Sequence, residues 1–556
     1  MIRTEQENSM LADLLFEDVV ESREDIFKKY PRRKLEKEQL VLRFAPSPTG
    51  YLHIGNVYTA LAGYILTKNS NGVFILRIED TDKEREIEEG IVQIVDGLKY
   101  FGIEFDEGVL GKGKTEGIYG PYIQSERVEI YRVFAKDLVS KGLAYPCFAT
   151  EQELEEIRKQ QEKKRERTGY YGKWAKWRDA SLDSIEKELE KETPYVIRLY
   201  SRGDFKKKIE CTDLIKGRVT LSQNDMDSIL LKSDGYPTYH FAHPIDDTLM
   251  DISYVLRGDE WLSSQPLHME IFEALEFKQL DYGHISPLMK KEGEGKRKLS
   301  KRRDPESRVA FYIENGYPVE GVKEYLLNVA NSSFSDWRRL NPDSDILEFN
   351  LRLEKFNKAG ALFDILKINN ICKEYISTLS AQQVYNYALE WSEKYSEQTF
   401  SKLSNHREYC INILNIEREG ERIRKDIVKW SDVLTQLEIF FDDLFINMKK
   451  DVVEMEDNLQ RAILNMFLDT YYFEDSSSEW FNKIKEIALR NNFSTDSTEY
   501  IKDPSKYRGR IGDVAMVIRV ATTGRRQTPD LYQVMQVMGE VRVRERLQGY
   551  INDVLM

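Results

Sequence analysis

The sequence predicts an α/β domain on a parallel sheet, interrupted by an inserted domain and followed by an all-α region. Three observations predict it. Residues 41–78 alternate strand, helix and strand, the crossover unit of a parallel sheet. The same texture returns at 238–290 after a long interruption. From about residue 305 onward, apolar residues fall almost everywhere at helical spacing.

Residues 1–40 are charged and helical in pattern, with Leu11, Leu14, Leu15 and Val19 on one face, and Pro31 ends the segment. Residues 41–45 read as a short buried strand, and two prolines and a glycine make 46–50 a loop. Val57, Leu61, Tyr64 and Ile65 then mark a helix over 56–68, and 72–78 a second strand. Ile87, Ile91, Ile94, Leu98 and Phe101 give an amphipathic helix stopped at Gly102. Residues 131–237 read as the insertion: helical at first, then lysine-rich, then short segments such as 195–200. A strand at 253–257 and a helix at 265–275 complete the α/β part. Near the C-terminus, Thr528-Pro-Asp before Leu531, Val534, Met535 and Met538 predicts a helix start, with Thr528 as cap and Pro529 first.

The 556 residues are 41% hydrophobic and 32% charged, the balance of a soluble globular chain. No stretch reaches the roughly 18–20 apolar residues of a membrane helix. The start has acidic and polar residues where a signal peptide is apolar, so a cytoplasmic protein is expected. The four cysteines, at 147, 211, 372 and 410, share no metal-ligand spacing and read as free thiols. The net charge of −13 does not exclude a nucleic acid, because only the contacting face must be basic. Three basic islands stand out: nine Lys/Arg against two Glu in 158–178, nine against four acids in 290–308, and six against one Asp in 506–526.

Two motifs carry chemistry. Arg43-Phe-Ala-Pro-Ser-Pro-Thr-Gly-Tyr-Leu-His-Ile-Gly-Asn56 joins the first strand to its helix, where open α/β sheets bind ligands. The helix N-terminus there favours phosphate, Gly55 allows close approach of a nucleotide, and His53 offers a donor. Lys298-Leu-Ser-Lys-Arg302 reads as a cationic loop able to close over a triphosphate.

Together these motifs resemble the two signatures of class I aminoacyl-tRNA synthetases. Residues 43–50, Phe74-Ile-Leu-Arg-Ile-Glu-Asp-Thr-Asp82, Gly120-Pro-Tyr-Ile-Gln-Ser-Glu-Arg127, Ser233-Asp-Gly-Tyr-Pro-Thr-Tyr-His240 and Leu256-Arg-Gly-Asp-Glu-Trp-Leu262 are similar to the bacterial glutamyl-tRNA synthetase family. The resemblance is dense from 41 to 308, looser beyond, and leaves 1–40 outside as a helical extension. It implies a Rossmann-type catalytic domain at 41–130 and 238–286, with the insertion 131–237 holding the tRNA acceptor end. A stem-contact region at 287–395 and a helical anticodon-binding domain at 396–556 would follow. It implies ATP-dependent ligation of L-glutamate to tRNA(Glu) through a glutamyl-adenylate, with Mg2+ on the ATP, no membrane and a monomeric enzyme. His53, Lys298 and Lys301 would be catalytic. Gly55, Trp261 and Ser300 would join them around ATP. Arg43, Ala45, Ser47, Glu79, Tyr239, His243 and Arg257 would hold glutamate, whose two carboxylates and one ammonium ask for cations and an anion. Arg77 is expected to lie outside that pocket.

Three departures matter. Members often hold zinc in the insertion with a cysteine cluster, but only Cys147 remains, so no zinc or other protein-held metal is expected. His243 stands where relatives often have Asn. Asn56 closes the first signature in place of His or Gly. The alternatives are an enzyme that also glutamylates tRNA(Gln), a glutaminyl-tRNA synthetase, and an inactive tRNA-binding protein. Helical pattern beyond 305 opposes the second, which typically has β-barrel anticodon domains. The intact motifs oppose the third.

Overall fold

A computed structural model describes residues 3–553, apart from Thr49, Tyr51, 83–88, Lys112, Lys301 and 421–422. Two sequence expectations, Ile87 on its helix and Lys301 in the second motif, therefore lie outside the described residues. The chain forms two compact units, Met1–Phe311 with Lys323–Asp364 and Tyr312–Val322 with Ile365–Met556.

The first unit contains the strands. Strand β1 (Val41–Phe44) pairs in parallel with β2 (Val73–Leu76), from Val41 opposite Val73 to Phe44 opposite Leu76. Strand β3 (Glu107–Gly111) adds in parallel to β2, and β4 (Lys114–Glu116) in antiparallel to β3. The crossover from β1 to β2 is a helix at Ile54–Asn69, whose Val57, Ala60, Leu61 and Ile65 are buried. It lies close to the sheet because position 63 is glycine: a Cβ there would stand 2.8 Å from the Phe74 ring.

Four further strands carry the chain into the insertion: β5 (Ala144–Cys147), β6 (Val196–Leu199), β7 (Lys208–Asp213) and β8 (Gly217–Ser222). With β9 (Ile229–Leu231), β5 and β6 make an antiparallel sheet in the order β5-β6-β9. Its core holds Tyr145, Cys147, Tyr170 and Ala175, packed against Trp177. The Asp227 carboxylate ties this core together, accepting from Tyr145 Oη at 2.6 Å, Arg178 Nη1 at 2.7 Å and Ser201 N at 3.0 Å. The β7–β8 hairpin, although within the expected insertion, belongs elsewhere. It extends the sheet of β10 (Tyr254–Gly258) and β11 (Asp281–Ile285) in the order β10-β11-β7-β8.

Strand β1 is the seam between the two larger sheets. Ser253 N donates to Val41 O at 2.9 Å, and Arg43 Nη1 to Leu256 O at 3.2 Å. With β2 on one side of β1 and β10 on the other, chain order reverses at β1, and a crevice opens at the carboxyl ends.

The N-terminal extension is two short helices, α1 (Glu5–Leu15) and α2 (Arg23–Lys29), each started by a capping box. Leu11 and Leu15 are buried as expected, but Leu14 is 49% exposed; Asn8 and Ala12 complete the packed face instead. Below α2 the chain straps across the unit. The Arg33 fork binds both Glu107 oxygens at 2.7 Å, its backbone N donates to Asp251 at 2.9 Å, and its guanidinium lies 3.9 Å from the Tyr119 ring centroid. Phe27 meets Phe134 and Phe277 edge-on.

The second unit is helical among its described residues and has one apolar core, including Leu414, Phe440, Phe467, Ile484, Val517, Val534 and Leu547. One expectation is corrected here. The helix at Leu531–Met538 is capped by Asp530, whose carboxylate accepts Gln533 N at 2.9 Å. Thr528 instead receives the Arg519 guanidinium, and Pro529 lies ahead of the helix. An aspartate one residue from the helix satisfies its open N–H groups better than a threonine three residues away.

Candidate active site

The crevice holds a cavity of about 420 Å³. Of the residues expected there, Arg43, Ala45, Ser47, His53, Gly55, Glu79, Tyr239, Arg257, Trp261 and Lys298 line it. His243 and Ser300 do not line it, and Lys301 is outside the described residues.

At one end, His53 caps the Ile54–Asn69 helix. Gly55 N donates to His53 Nδ1 at 2.9 Å, and His53 N to Asn56 Oδ1 at 3.1 Å. With Nδ1 an acceptor, a neutral imidazole carries its proton on Nε2, the state suited to donate to a phosphate oxygen. Asn56, at the variable final position of the signature, is the reciprocal cap.

Lys298 is not in a loop. It is the last residue of an antiparallel hairpin, β12 (Met289–Glu292) and β13 (Gly295–Lys298), opposite Met289. Its Nζ lies 3.5 Å from Glu260 Oε2, both side chains half-exposed. The turn that follows is pinned by Asp304. This buried carboxylate receives Arg297 Nη2 at 2.7 Å, Lys290 Nζ at 3.0 Å and Ser300 N at 2.9 Å, which holds it well below the usual carboxylate range. Lys290 and Arg297 of the basic island 290–308 are thus spent on internal pairing, with Arg303 held by Glu292 as well.

At the other end the two arginines differ. Arg43 is neutralised: its Nε contacts both Asp247 oxygens, at 3.0 and 3.2 Å. Asp247 lies on a helix, Tyr239–Leu249, that crosses beneath the cavity, and it also accepts Arg77 Nη1 at 2.6 Å and faces His243 Nδ1 at 2.7 Å. Arg77 Nη2 reaches Glu79 Oε1 at 3.0 Å. Two guanidinium and two carboxylate groups therefore balance. Arg77 lies outside the lining, as expected, but it is wired to both Arg43 and Glu79. Burial raises the Glu79 carboxyl above its ordinary value against the pull of Arg77 and Arg43.

Arg257, only 5% exposed, has neutral partners alone among the described residues. Its Nε donates to His284 Nε2 at 2.9 Å, its Nη1 to His268 Nδ1 at 2.9 Å and Tyr239 Oη at 3.3 Å, and its Nη2 to Trp261 O at 3.2 Å. A guanidinium only donates, so both imidazole nitrogens facing it are unprotonated. Burial, the largest cause for each, lowers the pKa of His284 and of His268. Tyr239 packs 4.3 Å from the Trp261 ring.

His243 is fully buried behind Tyr239, its ring stacked on that tyrosine and its Nε2 3.0 Å from Tyr282 Oη. It holds Asp247 rather than facing the cavity. The motif 120–127 also works from behind: Gln124 and Arg127 bind Asp246 at 2.9 and 2.7 Å. Sequence reasoning missed Asp247, His268, His284, Asp213 and Asp304. Asp247 was recoverable, being four residues after His243 on one helix. Asp213 and His284 are brought together by strands distant in sequence, while His268 on its helix and Asp304 in the turn after β13 stood in no motif.

Residues 39–342 match the family model for the catalytic domain of class I tRNA synthetases (E and Q), and 383–551 that of an anticodon binding domain. A glutamate–tRNA ligase from Clostridium perfringens strain 13 is 44% identical over 541 residues, covering 97% of this chain and 99% of that protein. One from Acetivibrio thermocellus is 43% identical, covering 97% and 98%. The crystal structure of a glutamate tRNA ligase from Elizabethkingia meningosepticum, in complex with its amino acid, superposes with a TM-score of 0.71 at 26% identity. It covers 93% of this chain and 100% of that one. No helix among the described residues is long and apolar enough to cross a membrane.

Proposed function

The chain belongs to the glutamate–tRNA ligase family of class I tRNA synthetases, and from that premise we propose how this cavity joins glutamate to tRNA. In the first step a glutamate carboxylate attacks the α-phosphate of MgATP, giving glutamyl-adenylate and pyrophosphate. A ribose hydroxyl of the terminal tRNA adenosine then takes the glutamyl group and releases AMP. Side chains do little covalent work; they position the reactants and stabilise charge. Mg2+ enters on the ATP phosphates, and the triphosphate lies along the helix N-terminus at Gly55. His53 donates from Nε2 to a phosphate oxygen, and Lys298 and Lys301 meet the charge on departing pyrophosphate.

Glutamate lies across the cavity, its ammonium toward Glu79 and its side-chain carboxylate on Arg257. The observation that supports this is the state of Arg257: buried, in the wall, and surrounded by neutral groups. Arg43 has Asp247; among the described residues Arg257 has no carboxylate in contact, and it is left for the substrate's. Glutamine would leave it facing an amide. An unpaired buried charge costs about 3–5 kcal/mol, or about 10² to 10³ in selection. Arg257→Gln is expected to raise the Michaelis constant for glutamate about a hundredfold and to remove most of the preference over glutamine. Equal use of both amino acids by the unaltered enzyme would overturn the assignment.

For the remaining chain we propose that 131–237, apart from the β7–β8 hairpin, holds the acceptor end, that 287–395 contacts the stem and that 396–556 reads the anticodon. The acceptor is tRNA(Glu) and the enzyme a cytoplasmic monomer. Charging of separated glutamate and glutamine tRNAs tests the acceptor.

A further inference from the structure

The β7–β8 hairpin delivers one residue to the site without entering the cavity. Asp213, at the end of β7, is 2% exposed and caps β11 from the side. It accepts the backbone N of His284 at 3.1 Å and the His284 Nδ1 proton at 2.6 Å. The backbone N atoms of Ile215 and Lys216 also donate to it, at 2.9 and 2.6 Å. The imidazole is therefore fixed in one tautomer, Nδ1–H toward Asp213 and a bare Nε2 toward Arg257 Nε, 2.9 Å away. His284 itself is fully buried.

We propose that Asp213 and His284 are positioning residues for amino-acid selection, setting the Arg257 guanidinium one imidazole away from the carboxylate that balances it. The comparison within the site gives the reason. Where a carboxylate touches the arginine directly, as Asp247 touches Arg43 Nε, it already neutralises the charge that a ligand carboxylate would seek. An interposed neutral ring satisfies one N–H and fixes the plane of the guanidinium. It also keeps the negative charge of Asp213 near enough to stabilise a buried cation. The cation is held and oriented, with one Nη2 N–H still open and no carboxylate in contact among the described residues. His268 supplies a second neutral acceptor, and its other nitrogen is occupied by His240 Nδ1 at 2.9 Å.

This deepens the assignment of Arg257 to the glutamate carboxylate and rests on it. The test therefore compares steady-state constants of the full-length enzyme in tRNA charging for Arg257→Gln, His284→Gln, His284→Asn and Asp213→Asn. His284→Gln keeps an acceptor at the reach of Nε2 and is expected to stay within about threefold of the unaltered Michaelis constant for glutamate. His284→Asn keeps the donor toward Asp213 but loses that acceptor, and is expected to raise the constant about tenfold to a hundredfold. The Michaelis constants for ATP and tRNA should not change, because neither substrate meets Arg257. Asp213→Asn, which preserves shape and removes the charge, is expected to raise the glutamate constant about threefold to tenfold, and decides the matter should His284→Asn not fold. Glutamate constants unchanged in both His284→Asn and Asp213→Asn, while Arg257→Gln is impaired, would overturn the relay alone. Equal losses for ATP and glutamate, or no rescue by His284→Gln, would also overturn it. An unimpaired Arg257→Gln would instead overturn the reading beneath it.

Discussion

Asp247 shows how much of this site depends on a carboxylate that does not line the cavity. It is fully buried and serves Arg43, Arg77 and His243 at once. Arg77→Met should leave Asp247 and Glu79 short of a cation and destabilise the first unit by about 3–5 kcal/mol, the scale for breaking a buried pair. Denaturant unfolding measures this, and a loss below about 1 kcal/mol would contradict the wiring. His243 adds a pH dependence. Burial, opposed by Asp247, lowers its pKa from 6.5 to about 4. The unfolded chain then binds the proton more readily than the folded one, so stability present above pH 6.5 is lost as pH falls toward 4. The slope is about 1.4 kcal/mol per pH unit for this group. His243→Asn should remove that share of the slope between neutral pH and pH 5, measured by unfolding at both; an unchanged slope would refute it. At this scale the sequence was legible wherever a motif put the residue at a strand end, as with Arg43, Glu79 and Arg257. It was mute about Asp213 and His284, whose meaning arises only when β7 lies beside β11.

Among elements, the β12–β13 hairpin has the clearest functional load, because it sets the base from which Lys298 reaches the cavity. Asp304 anchors it with contacts to Lys290, Arg297 and Ser300. Asp304→Ala should lower the rate of adenylate formation about tenfold, the loss of one well-placed electrostatic contact being worth up to about 10²–10³. Glutamate affinity should stay unchanged. Rapid-quench measurement of the first step separates the two, and a normal rate would dissociate the anchor from the chemistry. The strand–helix–strand crossover at 41–76 was readable because its apolar spacing switches cleanly between periods. The cationic motif read as a loop because Gly293 and Gly295 suggested one; in the structure Gly293, at φ 59°, makes the turn of a hairpin. The sequence put the cap of the Leu531–Met538 helix at Thr528; the backbone path puts it at Asp530.

For the whole molecule, α/β followed by all-α was legible from periodicity, which survives any detail of packing. The placement of β7 and β8 was not, since an inserted segment can return strands to the parent sheet without a change in composition. The charge map, net −13 with islands partly neutralised by internal pairs, bears on how substrates arrive. The Michaelis constant for tRNA should rise about tenfold for every two phosphates neutralised as salt goes from about 50 to about 200 mM. That for glutamate, held by buried charges, should change little. Parallel responses of the two constants would place the glutamate contacts at the surface. The strap of the first 33 residues has a different kind of consequence, for the order of assembly. Helices α1 and α2 leave the ribosome before the residues they dock on: α2 packs on Phe134 and Phe277, and Arg33 on Glu107 and Asp251. The strap must wait until Phe277 has been made, holding Phe27 exposed through that interval. A stalled or truncated product ending before Phe277 would carry the unclosed strap as a sticky end.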